Sequence, residues 1–255
     1  MNDPAGKTVL LAPTKGPFSG GKTMPKKKVG AIAIKSFALL VVLGTAYQAM
    51  AQGAMTPYPN MAPIEQYLMD RTAEIALARS PAPESISRDA EVLVLGRHGF
   101  ETTVKGKNGF VCIVERSWTS APDPDFWNPK VRTPICYNPT AAHSFLPRNI
   151  KRTDLILTGH IKTQTDEAIV AAVDKKELPA MEPGAMCYMM SKQGYGGDSI
   201  EHWPPHVMFY FSQTDPAIWG ANLPGSPILA MSDDHEHLTE FVVAVQRWSD
   251  GTENR

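Results

Sequence analysis

Between positions 63 and 79, apolar residues recur at Ile64, Tyr67, Leu68, Ile75 and Ala76, while Glu65, Asp70, Arg71, Glu74 and Arg79 fall mostly elsewhere on a helical wheel. The pattern predicts one amphipathic helix, opened by Pro63 in its first turn and stopped by Ser80-Pro81-Ala82-Pro83. Beyond it the period shortens to that of strands. Residues 91–95 are apolar enough for burial on both faces, 100–104 form a weaker run, and 110–118 are β-branched with Glu115 and Arg116 near the end. Arg97-His98-Gly99 and Gly106-Lys107-Asn108-Gly109 read as turns, so the simplest arrangement is an antiparallel meander.

Prolines then recur every few residues from 120 to 147, an irregular excursion with a short helix opening at Asn138-Pro139. Helical character returns after Thr153. Its stronger segment is 164–178, with Thr163 and Asp166 spaced as a capping box and Ile169, Val170 and Val173 on one face. Strand-like runs resume at 185–191, 207–212, 228–231 and 241–248. Helices segregated from strands in this order predict an α+β fold: a single domain with a mostly antiparallel sheet of six or seven strands and helices packed on one face.

The first 61 residues have another character. Lys26, Lys27 and Lys28 precede an apolar run, and Lys35 shortens its clean part to 36–46, about half of the roughly 20 residues a membrane span needs. Ala49-Met50-Ala51 follows as a small-residue cleavage site, so 24–51 reads as a signal peptide, with no stable membrane anchor after cleavage. Residues 1–23 then read as an over-extended, disordered start, 52–61 as a flexible lead-in, and 62–255 as the single α+β domain. Within the start, Gly16 to Thr23 match the phosphate-loop string GxxxxGK[ST]. However, Pro25 and the export signal follow directly, leaving no helix or sheet to make that string a nucleotide site.

Of the 25 basic and 26 acidic residues, seven and one fall in the first 51, leaving a formal charge of about −7 on the rest. Such a surface argues against nucleic acid as a partner. All three cysteines lie in the exported part. Cys112–Cys136 is the preferred disulfide because its loop is short and rich in turn residues, with Cys187 left as a buried thiol; the other pairings stay open on sequence alone.

The segment 191–206, SKQGYGGDSIEHWPPH, concentrates polar chemistry. Tyr195, Asp198 and Trp203, with Trp118 from an earlier connection, are the ligand-binding candidates. His202 and His206 with Asp198 or Glu201 are donors suited to zinc, although Pro204-Pro205 forbids the helix that would put both imidazoles on one face. Met186, Cys187, Met189, Met190 and Met208 would add soft donors for copper, but alternation along a strand splits them between faces. The cofactor is thus open between none, zinc and copper. Asp233 to His237 resembles a chelating tract and reads as a solvated helix or turn.

Glu115 and His98 are the catalytic candidates, each near a strand end where a cleft could form. Glu115 and Arg116, as strand neighbours, point to opposite faces and make no pair by themselves. The exported part contains no GxSxG elbow, SxxK or HExxH. The five tryptophans, at element ends, would line a groove if those ends shared one edge of the sheet. The expectation is an exported bacterial protein, periplasmic or secreted, binding a small molecule or an envelope protein. The alternative is a zinc-type metal-dependent hydrolase centred on His202 and His206.

Overall fold

A computed structural model describes residues 57–254, so the readings of 1–23 and 24–51, and of the first part of 52–61, lie outside the described residues. Eight strands form one open mixed sheet, more than the six or seven expected. They are β1 (Glu91–Gly96), β2 (Gly99–Val104), β3 (Val111–Glu115), β4 (Thr133–Tyr137), β5 (Met186–Met189), β6 (His206–Ser212), β7 (Ile228–Asp233) and β8 (Leu238–Ala244). Their order across the sheet is β2-β1-β3-β4-β5-β6-β8-β7. The strand missing from the sequence reading is β4, inside the proline-rich excursion. β5 pairs only with its Cys136 and Tyr137, so Pro134, which has no N–H to give, lies beyond that ladder.

β1, β2 and β3 are not a meander. β1 and β2 form a hairpin, but β3 returns along the other edge of β1 and runs parallel to it. The return passes directly over the start of β1. Gly106 makes this approach, since a side chain there would run into the backbone nitrogen of Glu91.

Alternation along the strands sends neighbouring residues to two cores. Val92, Val94, Cys112, Val114 and Cys136 face α1 (Arg71–Arg79) through Leu77 and Ala78. Leu93, Ile113, Ile135, Tyr137, Cys187, Met208 and Tyr210 face the opposite way, against α4 (Pro139–Ser144) and the start of α5 (Leu146–Leu157). Helices therefore cover both faces, not one as expected, because β1, β3 and β4 are apolar on each side. α2 (Glu84–Ser87) and α3 (Ser117–Ser120) are single turns, and α6 (Lys162–Asp174) packs on α5. Among the described residues no helix is long and apolar enough to cross a membrane.

The helix expected from Pro63 is broken in two. A 3-10 turn covers Ile64–Gln66, Tyr67 drops wholly into the core, and α1 begins anew where Asp70 accepts the Ala73 N–H at 2.9 Å. Before it, Met61 packs against the cluster formed by Tyr67, Leu95, Trp118, Phe126 and Ile156. Asn138 caps α4 by accepting from Ala141 N–H at 2.8 Å, as its placement before Pro139 predicts. At α6 the expected Thr163–Asp166 box does not form. Gln164 instead accepts the Ile161 N–H, and Asp166 turns to Arg152 and Lys162.

Inside the first core, α1 is joined to the end of β3 by Glu74 and Arg116, the residue that follows the strand, both with no exposed side-chain surface and 2.9 Å apart. Arg116 Nε also donates to the Tyr67 carbonyl at 2.7 Å, and Glu74 Oε1 accepts the Leu95 N–H at 3.1 Å. The Cys112–Cys136 disulfide joins directly opposed residues of β3 and β4, and Cys187 is a buried free thiol. At the outer edge of the sheet, Asn222 both donates to the Ala230 carbonyl and accepts its N–H, each at 2.9 Å, so one amide side chain occupies the open edge of β7.

Arg116→Ala should destabilise the protein by about 3–5 kcal/mol in urea denaturation, because it leaves a buried carboxylate unpaired; Glu74→Leu/Arg116→Met should cost clearly less. Reducing the disulfide, or Cys112→Ser, should lower stability by about 3 kcal/mol for a loop of sequence separation 24. Denaturation midpoints unchanged by reductant would contradict this.

Candidate functional site

A cavity of about 340 Å³ lies between α5 and the far end of the sheet. Arg148, Asn149 and Arg152 of α5 form one wall, at the spacing that places residues on one helical face. Trp118 of α3, with Pro122 and Phe126 from the following loop, forms a second. Met231, Asp233 and Glu240, from the paired strands β7 and β8, form the floor.

Two carboxyl groups distinguish this region. Glu115 is 4% exposed and stands behind Asn149, whose Nδ2 donates to Glu115 Oε1 at 2.6 Å and to the Tyr137 hydroxyl at 2.8 Å. Tyr137 in turn donates to Glu115 Oε1 at 2.5 Å. Burial outweighs these donors and pushes the Glu115 carboxyl from 4.5 up to about 8, with the nearby charge of Glu240 acting in the same direction. Glu240 lines the cavity and has no hydrogen bond to any described side chain. Burial, then repulsion from Glu236 and Asp233, raises it from 4.5 to about 7 against the pull of Arg148 and Arg152.

The cations of the cavity are largely committed. Arg152 bridges Asp166 at 2.6 Å and Glu236, and Lys162 lies 3.3 Å from Asp166. Arg148 donates through Nη1 to the Glu236 carbonyl at 2.9 Å, but its buried Nε has no partner.

Of the ligand-binding candidates, Trp118 belongs to this cavity, with Nε1 donating to Thr153 Oγ1 at 3.1 Å. Tyr195 and Trp203 border a separate crevice of about 20 Å³, room for little more than a water. Asp198 accepts from the hydroxyls of Tyr195 and Tyr58. The loop carrying it is tied down by Asp125, which takes the Ser199 hydroxyl at 2.6 Å and the Asp198 and Ser199 amides.

His202 and His206 donate through Nδ1 to the carbonyls of Gly194 and Pro204, at 2.8 and 2.7 Å, and pack against Trp248 and Trp203 respectively. Among the described residues no three His, Cys, Asp or Glu side chains come together to hold a metal, so His202, His206, Asp198 and Glu201 are not assembled as zinc ligands. Of the soft donors, Cys187 stands opposite Met208 and Met189 opposite His206. Burial pushes the Cys187 thiol far up and keeps it protonated, 3.1 Å from the Tyr210 hydroxyl.

His98 is exposed in the β1–β2 turn, away from the cavity. The tryptophans share no groove: Trp118 alone of the five lines the cavity, while Trp219 stacks on Phe241 and Trp127 meets Phe126.

Of the residues singled out from sequence as site candidates, Trp118 lines the cavity and Glu115 lies outside its lining, behind Asn149; the other lining residues were not among those candidates. The sequence reading began the last strand at 241, one residue past Glu240. A carboxylate alternating with the apolar residues of LTEFVVA was the signal available. The tract from Asp233 to His237 is the β7–β8 turn, but its Glu236 is buried against Arg148 and Arg152.

Comparison with protein-family models, curated proteins and solved structures found no match to this chain.

The raised Glu115 carboxyl links stability to pH. Its contribution is fully present below about pH 4.5 and is lost as pH rises through about 8. Urea denaturation between pH 5 and 8 should show stability falling by up to about 1.4 kcal/mol per pH unit from this group, and Glu115→Gln should flatten the decline. An unaltered slope in the variant would refute the assignment.

Proposed function

We propose that this is an exported domain that binds a small, uncharged, polyhydroxylated molecule in the cavity between α5 and the β7–β8 end of the sheet. The observation that carries this reading is the Glu240 carboxyl, which lines the cavity half-buried without a hydrogen bond to any described side chain. Buried polar groups ordinarily find partners, and a ligand hydroxyl both donates and accepts. The volume falls at the lower end of the range for small-molecule sites. Acidic side chains outnumber basic ones around it, and Arg152 and Lys162 are already paired, which disfavours an anionic ligand. Export is supported by the basic, apolar and small-residue pattern of 24–51 and by the Cys112–Cys136 disulfide.

Calorimetric titration with neutral mono- and disaccharides should give saturable binding for at least one. Ala121→Trp, which fills the cavity from its wall, should weaken that binding at least about tenfold, or 1.4 kcal/mol. No heat from any of these sugars would remove the reading. Fractionation of producing cells should recover the chain outside the cytoplasm, starting near Gln52. Full-length chain in the cytosol with all thiols reduced would remove the export part.

A further inference from the structure

We propose that a second cavity binds a small zwitterion, a free α-amino acid or a dipeptide. It lies where the end of α1 and the α1–α2 connection meet the segments that follow β5 and β8, and it holds about 500 Å³. It shares no lining residue with the cavity between α5 and the β7–β8 turn.

The connection fixes the two charges that such a ligand needs. Arg79 is the last residue of α1 and Glu84 the first of α2, with Ser80-Pro81-Ala82-Pro83 between them. The two proline rings restrict this short link. Its Pro81 carbonyl accepts the Met190 N–H at 3.0 Å, which ties it to the residue after β5. Held this way, the unlike charges do not close on each other. Among the described residues neither Arg79 nor Glu84 has an oppositely charged group within 4.0 Å, although both line the cavity. Arg79 Nη2 donates to the Arg88 carbonyl at 3.3 Å, and Nη1 has no partner among the described residues.

A second, independent observation points to a ligand. Ser87 of α2 is 6% exposed and lines the cavity, yet its hydroxyl has no hydrogen bond among the described residues. It is not sealed off as the unpartnered Ser117 hydroxyl is, so a group entering the cavity can reach it. Buried hydroxyls ordinarily find a partner.

The other hydroxyls of the cavity are satisfied within the protein. Ser80 donates to the Leu77 carbonyl and meets the Ser191 hydroxyl, each at 2.6 Å, and Ser249 donates to the Ser80 carbonyl at 2.5 Å. Lys192 and Asp250 neutralise each other at 2.7 Å. What stays available to a ligand is one cation, one carboxylate, the Ser87 hydroxyl and the Gln193 amide. A ligand of one sign would pair with one of these charges and meet the other as a like charge. A zwitterion pairs with both, its carboxylate toward Arg79 and its ammonium toward Glu84. The serine hydroxyl can accept from the ammonium or donate to the carboxylate.

The test is calorimetric titration of the purified chain with the standard amino acids and with simple dipeptides such as glycylglycine. The N-acetyl and C-terminal amide derivatives of the tightest ligand are then titrated in turn. At least one zwitterion should bind. Each derivative, which removes one charge, should bind at least about tenfold more weakly, the loss expected of one hydrogen bond to a charged group. Arg79→Gln should erase the preference for the acid over its amide, and Glu84→Gln the preference for the free amine over its N-acetyl form. Ser87→Ala should weaken binding by about two- to tenfold. Tighter binding of amino acids than of dipeptides, or the reverse, decides which zwitterion the site takes. No heat from any of these compounds overturns the proposal, and so does binding that the two derivatives match on the unaltered chain. Zwitterion binding undiminished in folded Arg79→Gln and Glu84→Gln overturns the assignment to this cavity.

Discussion

Glu74 and Arg116 are both withdrawn from water, and neither charge would be tolerated there without the other. Their attraction alone does not repay the loss of hydration, and the added bonds to the Tyr67 and Val114 carbonyls and from the Leu95 amide are what make the burial supportable. The consequence is positional. Arg116 is committed to the α1 side of the sheet, and because strand residues alternate, Glu115 is committed to the other side. A slip of one residue would exchange them, placing an arginine against Tyr137 and a carboxylate beside Glu74. The disulfide four residues before Arg116, at Cys112, pins the same strand to β4.

That fixed strand also sets the cavity wall. The Arg116 carbonyl accepts from the hydroxyls of Thr119 and Ser120, so α3 begins immediately at the end of β3 and delivers Trp118 against Tyr67, with ring centroids 4.9 Å apart. On the opposite side, Asn149 reaches from α5 to Glu115 and Tyr137 and locks the helix to the sheet. Arg148 and Arg152 on the same helix are thereby carried over the β7–β8 turn, where Glu236 receives them. Burial that stabilises the fold and burial that raises the Glu115 and Glu240 carboxyls have one origin: poor hydration at the junction of sheet and helix.

Much of this fold was readable from local pattern. The first-to-third and last four strand regions, the short helix at Asn138-Pro139 and the helix around Ile169 follow from period and cap chemistry alone. β4 was not readable, since TPICY sits among prolines and its partners are β3, a neighbour, and β5, some fifty residues on. The parallel return of β3 was hidden for a similar reason: turn residues between strands announce a reversal but not which edge the chain takes afterwards. Asp70 outcompeted Pro63 as the start of α1 because Tyr67 is worth more in the core than in one more helical turn.

The sequence by itself determined the strand and helix periods and the opposition of Glu115 and Arg116, and favoured Cys112–Cys136 among three open cysteine pairings, because each depends on residues close in the chain or on composition. Only the tertiary structure decided which polar groups meet. The motif-rich loop with His202 and His206 is held by backbone carbonyls and Asp125, while Glu240, Asp233 and Arg148, unremarkable in the sequence, converge from β8, β7 and α5. Strand order and helix docking bring them together, and these are set by burial across the whole domain, which no local spacing encodes.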